Sequence, residues 1–471
     1  MEYLQYSKRR LTKIIINQEQ LIDTQGALIH NLELETQQIP QMIALIRQLE
    51  EKIKSVEKDS HTSSKPPSSD FPKRDRSQRV KSGKQSGGQI GHRGKTRPHV
   101  TTPDVVIDCR PQACTNCSKN LDGIIGCVIG RDQVVDIPPI VPVTTQYNQI
   151  QVRCFCGTKN TGVLPHGASG VIRIGENIRS FVSYLNVTHH VPYDRLTILF
   201  SDILNFTVSE GSINTILSET GGKGLSLYQK IQDMVNTTSY RGSDETGVRV
   251  MGKTWWEWVW QNAKASYYRI DKSRGYGVVE REMPDEYQGV HVADCWSAQN
   301  NTKAKKHQLC HEHLKRDLKY LIETQKSIWA YQMYRFICKC RKARDALWQL
   351  PEMIREQGIA WYHATLDNLL AFSVTTKKEK TLLKRFIKHR EKILTFMDYE
   401  DVPPDNNSSE QAIRQSKVKM KVSGGFRSEQ GAKTYAILLS IIETCKKQNL
   451  NILQAIQAML RGVDISTQFT T

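Results

Sequence analysis

Long apolar runs are missing from these 471 residues: nowhere do eighteen consecutive residues stay apolar, so no membrane-spanning helix is predicted. The opening stretch MEYLQYSKRR lacks the apolar core of a secretory signal, which points to the cytoplasm. Acids are also scarce, 48 against 66 Lys and Arg, for a formal net charge of +18. The shortage is local. Between Lys65 and His99 ten basic residues face only Asp70 and Asp75, and between Arg414 and Lys447 eight face only Glu429 and Glu443. Such clusters most often meet a polyanion, because each neutralised phosphate releases counterions. Nucleic acid is the leading partner; an anionic membrane surface is the weaker reading. The eleven cysteines are odd in number and come without a secretion signal, which argues for a reducing compartment and for metal rather than disulfides at close pairs.

What is present falls into blocks. From Leu11 to Val56 a three-four spacing runs through fourteen seam positions, eleven of them apolar, the 3.5-residue repeat of a coiled coil broken at Pro40. A self-association arm is expected there, with a helical hairpin as the plainer reading. The Ser-, Pro-, Gly- and Lys/Arg-rich stretch that follows has almost nothing to bury and is expected to track a phosphate backbone through Lys73, Arg74, Arg76, Arg79, Lys81, Lys84, Arg93 and Lys95. Cys114 and Cys117 form one knuckle and Cys154 and Cys156 a tighter one, four thiolates suited to a structural Zn²⁺ in a small module. Between them VVDIPPIVPVTTQYNQIQVRC reads as β-rich. Residues 171–235 are helical by period. DILNFTVSEGSINTILSET resembles a helix-turn-helix corner, with Gly211 near the turn, but no Lys or Arg follows until Lys223, poor equipment for reading bases.

The centre carries most of the chemistry. TSYRGSDETGVRV, KTWWEWVWQNA and ASYYRIDKS read as three strands, RGYGVVEREM as a short helix and YQGVHVADCWS as a fourth strand ending in Asp294. Three strands in a meander and a fourth reached through a helix set the fourth beside the first and parallel to it. Asp244 and Asp294 then sit on neighbouring central strands. Two such carboxylates are costly to bury unless a cation lies between them, and oxygen ligands suit Mg²⁺ or Mn²⁺. A pair of these ions can activate an attacking oxygen and stabilise a leaving one at phosphorus.

A third acid is needed. DNNSSEQAIRQSK has capping residues ahead of an apolar period, Ser408 and Gln411 make a capping box, and Glu410 falls in the first turn. An acid there favours the helix dipole by about 0.3–1 kcal/mol and needs no other purpose. With Asp244 and Asp294 so placed, and Arg414, Lys417, Lys419 and Lys421 following to hold DNA, catalysis is the favoured reading.

SDETGVRV, VADCW, CHEHLKRDL and DNNSSEQAIR, preceded by SSKPPSSD, GGQIGHRG and the cysteine knuckles, resemble the insertion-sequence sixty-six family of bacterial transposases, in the right order over nearly the whole chain. The resemblance implies a ribonuclease-H-like core with an acidic triad, carried over to Asp244, Asp294 and Glu410. Their separations are 294 − 244 = 50 and 410 − 294 = 116 residues, the second long enough for a helical insertion. Where such proteins often have a tyrosine after the second aspartate, this chain has Gln299. Cys310 and His313 match a C-x2-H element of related transposases and are read as structural, with a zinc site drawn from His307, Cys310, His311 or His313 as the lesser alternative.

The whole is then a multidomain α+β protein: a coiled-coil helix at 1–58, a basic linker at 59–104, a zinc module at 105–165, a helix-turn-helix-like region at 166–236, a core at 237–313 and 401–447, an insertion at 314–400 and a tail at 448–471. The resemblance implies metal-dependent cleavage and strand transfer at the terminal inverted repeats of a mobile element, in a bacterial, nucleoid-associated homo-oligomer, with helper proteins of the same element as further expected partners. The rivals are a catalytically inactive, zinc-containing DNA-binding regulator and a nuclease confined to hydrolysis.

Overall fold

The computed structural model describes residues 96–165, 173–283, 287–295 and 297–469, with scattered positions before residue 96. The expected coiled coil lies almost wholly outside the described residues, as do Lys73, Arg74, Arg76, Arg79, Lys81, Lys84 and Lys95. Two compact units emerge. One has its body in Gly175–Pro192 and from Asn214 onward; the other comprises Ser77–Ile174 and Tyr193–Ile213. Among the described residues no helix is long and apolar enough to cross a membrane.

In the smaller unit the expected β-rich stretch is corrected. Residues 131–150 carry no strand, and regular pairing is confined to the hairpin β1 (Gln151–Arg153) and β2 (Lys159–Thr161) and a bridge between Ala113 and Asn120. Pro138, Pro139 and Pro142 each remove a backbone donor from that stretch, which leaves a ladder there with too few bonds. Val105, Ile107, Ile125, Ile129 and Val134 are exposed, so this segment buries little of its own apolar content.

Four helices precede the central sheet: α1 (Glu176–Thr188), α2 (Tyr193–Leu204), α3 (Glu210–Lys223) and α4 (Leu225–Asn236). The turn before α3 lies at Asn205, whose φ is +46°, and Gly211 falls inside the helix rather than at the corner. Then come β3 (Tyr240–Val250), β4 (Lys253–Gln261), β5 (Ser266–Asp271), α5 (Tyr276–Glu282), β6 (Tyr287–Ala293), the short α6 (Ser297–Asn300) and β7 (Ala304–Leu309). The sheet order is β5-β4-β3-β6-β7, antiparallel among the first three strands and parallel from β3 to β6 to β7. Strand β7 has no counterpart among the expected strands. AKKHQL is too polar to signal one, and Lys305 and Lys306 stay exposed, as suits an edge that must not recruit another chain.

Alternation along the strands gives the sheet two packed faces. Trp258, Trp260 and Tyr267 pack with Tyr228 of α4 on one. Val259 and Tyr268 face the opposite way, toward the late helices α12 (Asn407–Ser423) and α13 (Glu429–Lys447). Each fully buried large side chain contributes roughly 1.5–3 kcal/mol. The open edge at β5 is closed by side chains: Ser440 Oγ accepts the N–H of Tyr268 at 2.9 Å and Thr444 Oγ1 that of Ser266 at 3.1 Å. These residues lie four apart on α13, which puts both hydroxyls on one helix face.

Between β7 and α12 lies the insertion: α7 (His311–Gln325), α8 (Ile328–Trp348), α9 (Glu352–Leu370), α10 (Lys377–Lys388) and α11 (Thr395–Asp398). Its core, with Leu318, Trp329, Met333, Ile337, Leu366 and Phe386, is continuous with Val290 and Val292 of β6, so it is a buttress of the sheet. The expected tail is not loose. It forms α14 (Ile452–Leu460), which packs on α1 and pairs Arg461 with Glu176 at 2.9 Å.

Candidate active site

Strands β3 and β6 pair in parallel with Gly242 opposite Val292. Asp244 and Asp294 each stand two residues further on, so the register sets them side by side on one face. The carboxyl of Asp244 is pushed up to about 8, first by burial and then by the charges of Glu245, Asp294 and Glu410. An acid crowded by other acids is relieved by a bound cation, and a set of carboxylate oxygens fits a hard divalent ion such as Mg²⁺ or Mn²⁺.

Asn406 brings Glu410 to this place. It is 2% exposed, donates from Nδ2 to the Ser243 carbonyl at 2.6 Å, and donates its N–H to Cys310 Sγ at 3.2 Å. Its own carbonyl accepts the N–H groups of Ser409 and Glu410 at 3.1 Å each. One side chain and its peptide groups thus join β3, the start of α7 and the start of α12. The expected capping box does not form: α12 begins at Asn407, so Ser408 already lies in the first turn, where its Oγ accepts from Gln261 Nε2 at 2.6 Å. Gly242 permits the close approach, since a Cβ there would lie 2.6 Å from Ser409 Oγ and 2.8 Å from Asn406 Oδ1. Asp405, next in line, pairs with Arg341 of α8 at 2.7 Å and ties the insertion to the same junction.

Behind the strand lies a polar layer of which the sequence had singled out only Gln299. Glu245 points to the face opposite Asp244, where Arg274 grips one carboxylate oxygen at 2.8 and 3.0 Å and Gln299 Nε2 donates to the other at 2.8 Å. Gln299 Oε1 accepts from Ser243 Oγ, which also contacts His291 Nε2 at 3.0 Å. Burial and the charge of Arg241 hold His291 well below its ordinary pKa, so it is neutral. Gln299 therefore braces the strand that bears the first aspartate. The sequence signal for this layer is the second acid, Glu245, directly after Asp244 in SDETG.

Cys310 caps α7, and His313 lies one turn along it. His313 Nδ1 stands 3.8 Å from Glu410 Oε1. His311 is turned away and contacts the Ile393 carbonyl through Nε2 at 2.7 Å, and His307 Nε2 meets Thr302 Oγ1 at 2.8 Å.

Of the basic residues assigned to DNA, Arg414, Lys417 and Lys421 are exposed on α12, and Arg93 is exposed as well. Lys419 is a correction. It is 6% exposed, with its ammonium over the Tyr435 ring, and burial lowers its pKa to about 8. The helical period that buries Ser409, Ile413 and Ser416 turns Lys419 inward too.

The cysteine knuckles form as two separate pairs. The backbone N–H groups of Cys117 and Asn116, then the Cys117 thiol, lower the Cys114 pKa. Thr158, through side chain and backbone, and then Cys154 bring Cys156 to about 7. Among the described residues the two pairs do not close into one four-thiol cluster.

The profile of the family described as Transposase IS66 family matches residues 172–434, and the chain belongs to that family. The matched region contains both aspartates and Glu410. A family of unknown function (DUF6444) matches residues 17–98. The chain is also similar to the Uncharacterized protein y4jO of Sinorhizobium fredii (strain NBRC 101917 / NGR234), at 33% identity over 82 residues, which are 17% of this chain and 26% of that protein. It thus spans about a quarter of that relative's length.

Proposed function

We propose that this protein is a DNA transposase that cuts the ends of a mobile element and joins them to target DNA by phosphoryl transfer. The observation that carries the reading is the gathering of Asp244, Asp294 and Glu410, whose charges add to burial in raising the Asp244 pKa. The strand order, with one aspartate on the first core strand and the next after the fourth, supports a ribonuclease-H-like core. Two Mg²⁺ or Mn²⁺ ions held by the three carboxylates would, when bound, activate the attacking oxygen and stabilise the leaving one.

The chain's own groups do the rest. Asp244 gives up its proton when the site is loaded. Asn406 holds the Glu410 turn against β3, and Glu245, Arg274 and Gln299 stiffen the strand from behind. Arg414, Lys417 and Lys421 stand at i, i+3 and i+7 on α12, one exposed row that meets successive phosphates of double-stranded DNA. The linker arginines and lysines add a second, sequence-independent grip. Brought together, the two knuckles would supply the four thiolates of a structural Zn²⁺; the N-terminal seam joins copies of the chain, and helper proteins of the same element complete the assembly.

The test uses the purified chain, DNA bearing the element's inverted repeats, and Mg²⁺. Cleaved 3′ ends and products joined to target DNA are expected. Chelation by EDTA, Asp294→Ala and Glu410→Ala each abolish both. Cleavage that survived either substitution would remove the acidic-triad reading.

A further inference from the structure

We propose that Cys310 Sγ, His313 Nδ1 and Glu410 Oε1 form a second cation site, for one borderline-soft divalent ion of the Zn²⁺ class. Their donor atoms lie within 4.8 Å of one another, the single group of three such donors among the described residues. At 3.8 Å, His313 Nδ1 and Glu410 Oε1 are too far apart for a hydrogen bond, and both are buried atoms without a hydrogen-bond partner. Two facing polar atoms left unsatisfied are costly, and an ion between them satisfies both.

The third donor, Cys310, stands at the same junction. The backbone N–H of Asn406 donates to Cys310 Sγ at 3.2 Å, and the N–H groups of Glu312 and His313 also approach the sulfur. Burial raises the free Cys310 thiol to about 12, against the pull of these N–H groups and of the N-terminus of α7, so the ion must displace the thiol proton on binding. Thiolate and carboxylate together balance a divalent charge. Sulfur and imidazole ligands choose Zn²⁺ over Mg²⁺, whereas the oxygen-only donors of Asp244 and Asp294 choose the reverse. Closure by about 1 Å brings the donors to ordinary Zn–S and Zn–N lengths, about 2.3 and 2.0–2.1 Å. The ion would clamp the first turn of α7 to the first turn of α12, leaving the second oxygen of Glu410 free. The site does not rest on the catalytic reading, because it can be loaded in a protein that cuts nothing.

The experiment measures zinc per chain in the full-length protein after loading with Zn²⁺ and desalting, alongside competition with a chromophoric chelator. Cys310→Ser and His313→Asn are each expected to hold about one zinc fewer than the parent. Their affinity at this site should fall by at least about 100-fold, since even outer-shell partners of a metal are worth 10–100-fold. Asp294→Asn keeps the full zinc content while losing Mg²⁺-dependent cleavage, which separates this site from the proposed function. Loading with Co²⁺ gives a second readout: the sulfur-to-metal charge-transfer band should shrink in Cys310→Ser. Should Cys310→Ser fail to fold, the half-buried His313 offers the gentler variant. Equal zinc content and equal affinity in the parent and in folded His313→Asn would overturn the site.

Discussion

The side-chain amide of Asn406 donates to the backbone carbonyl of Ser243 at 2.6 Å, tying the turn that carries Glu410 to the residue before Asp244. Asn406→Ala removes this tether and leaves a buried carbonyl without its donor. Misplacement of a catalytic group by about 1 Å can cost on the order of 100-fold, so single-turnover cleavage should slow by about that factor. DNA affinity at fixed salt should stay within about twofold in a gel-shift titration, because the exposed row on α12 is untouched. Unaltered cleavage would show that Glu410 is positioned by other contacts.

Asp244 is crowded by acids, which makes metal loading pH-dependent. With its carboxyl at about 8, a divalent ion must displace a proton at neutral pH, so Mg²⁺ affinity should weaken as pH falls from 8 to 6. Without metal, Asp244→Asn should raise Tm at pH 8 by relieving the buried charge. The same substitution should erase the Tm increase that Mg²⁺ gives the parent, as read by differential scanning fluorimetry.

Glu257 supplies a cleaner linkage test, away from any proposed ligand. It is fully buried on β4, accepts a hydrogen bond from Ser416 of α12 and leaves Oε2 without a partner. Burial raises its pKa from 4.5 to about 8. The folded state therefore holds a proton that the unfolded chain has lost, and stability declines as pH climbs from 4.5 to 8. Its greatest slope is about 1.4 kcal/mol per pH unit. Glu257→Gln keeps a neutral group in place and should flatten that decline in urea melts. An unchanged pH profile would mean that the carboxylate is ionised in the fold.

The row on α12 separates binding from stability. Arg414→Ala, Lys417→Ala and Lys421→Ala should each reduce the salt dependence of DNA binding by about one released counterion. Lys419→Ala should leave that slope alone and lower Tm instead, since its side chain lies over Tyr435 rather than in solvent. A salt slope reduced by Lys419→Ala would contradict its inward orientation.

Period and order carried much of the fold. The aromatic strand KTWWEWVWQ, its two partners and the helix before YQGVHVA are legible because alternation and length distinguish buried strands from helices. The parallel pairing of β3 with β6 follows from chain connectivity alone. Strand β7 escaped notice because an edge strand need not be apolar, and α14 because a tail position says nothing about what packs on it. The β-rich reading of residues 134–154 gave too little weight to three prolines.

Sequence by itself determined that acids would be few, that two of them would ride on adjacent strands, and that a third would open a late helix rich in basic residues. Those properties are local, set by side-chain period and residue type. Only the tertiary structure decided which face each residue of α12 presents, so that Arg414 meets solvent while Lys419 meets Tyr435. It alone decided that Asn406 and Cys310, 96 residues apart, would meet beside Glu410. A hydrogen bond between distant segments depends on how whole layers pack, and no short stretch of chain contains that information.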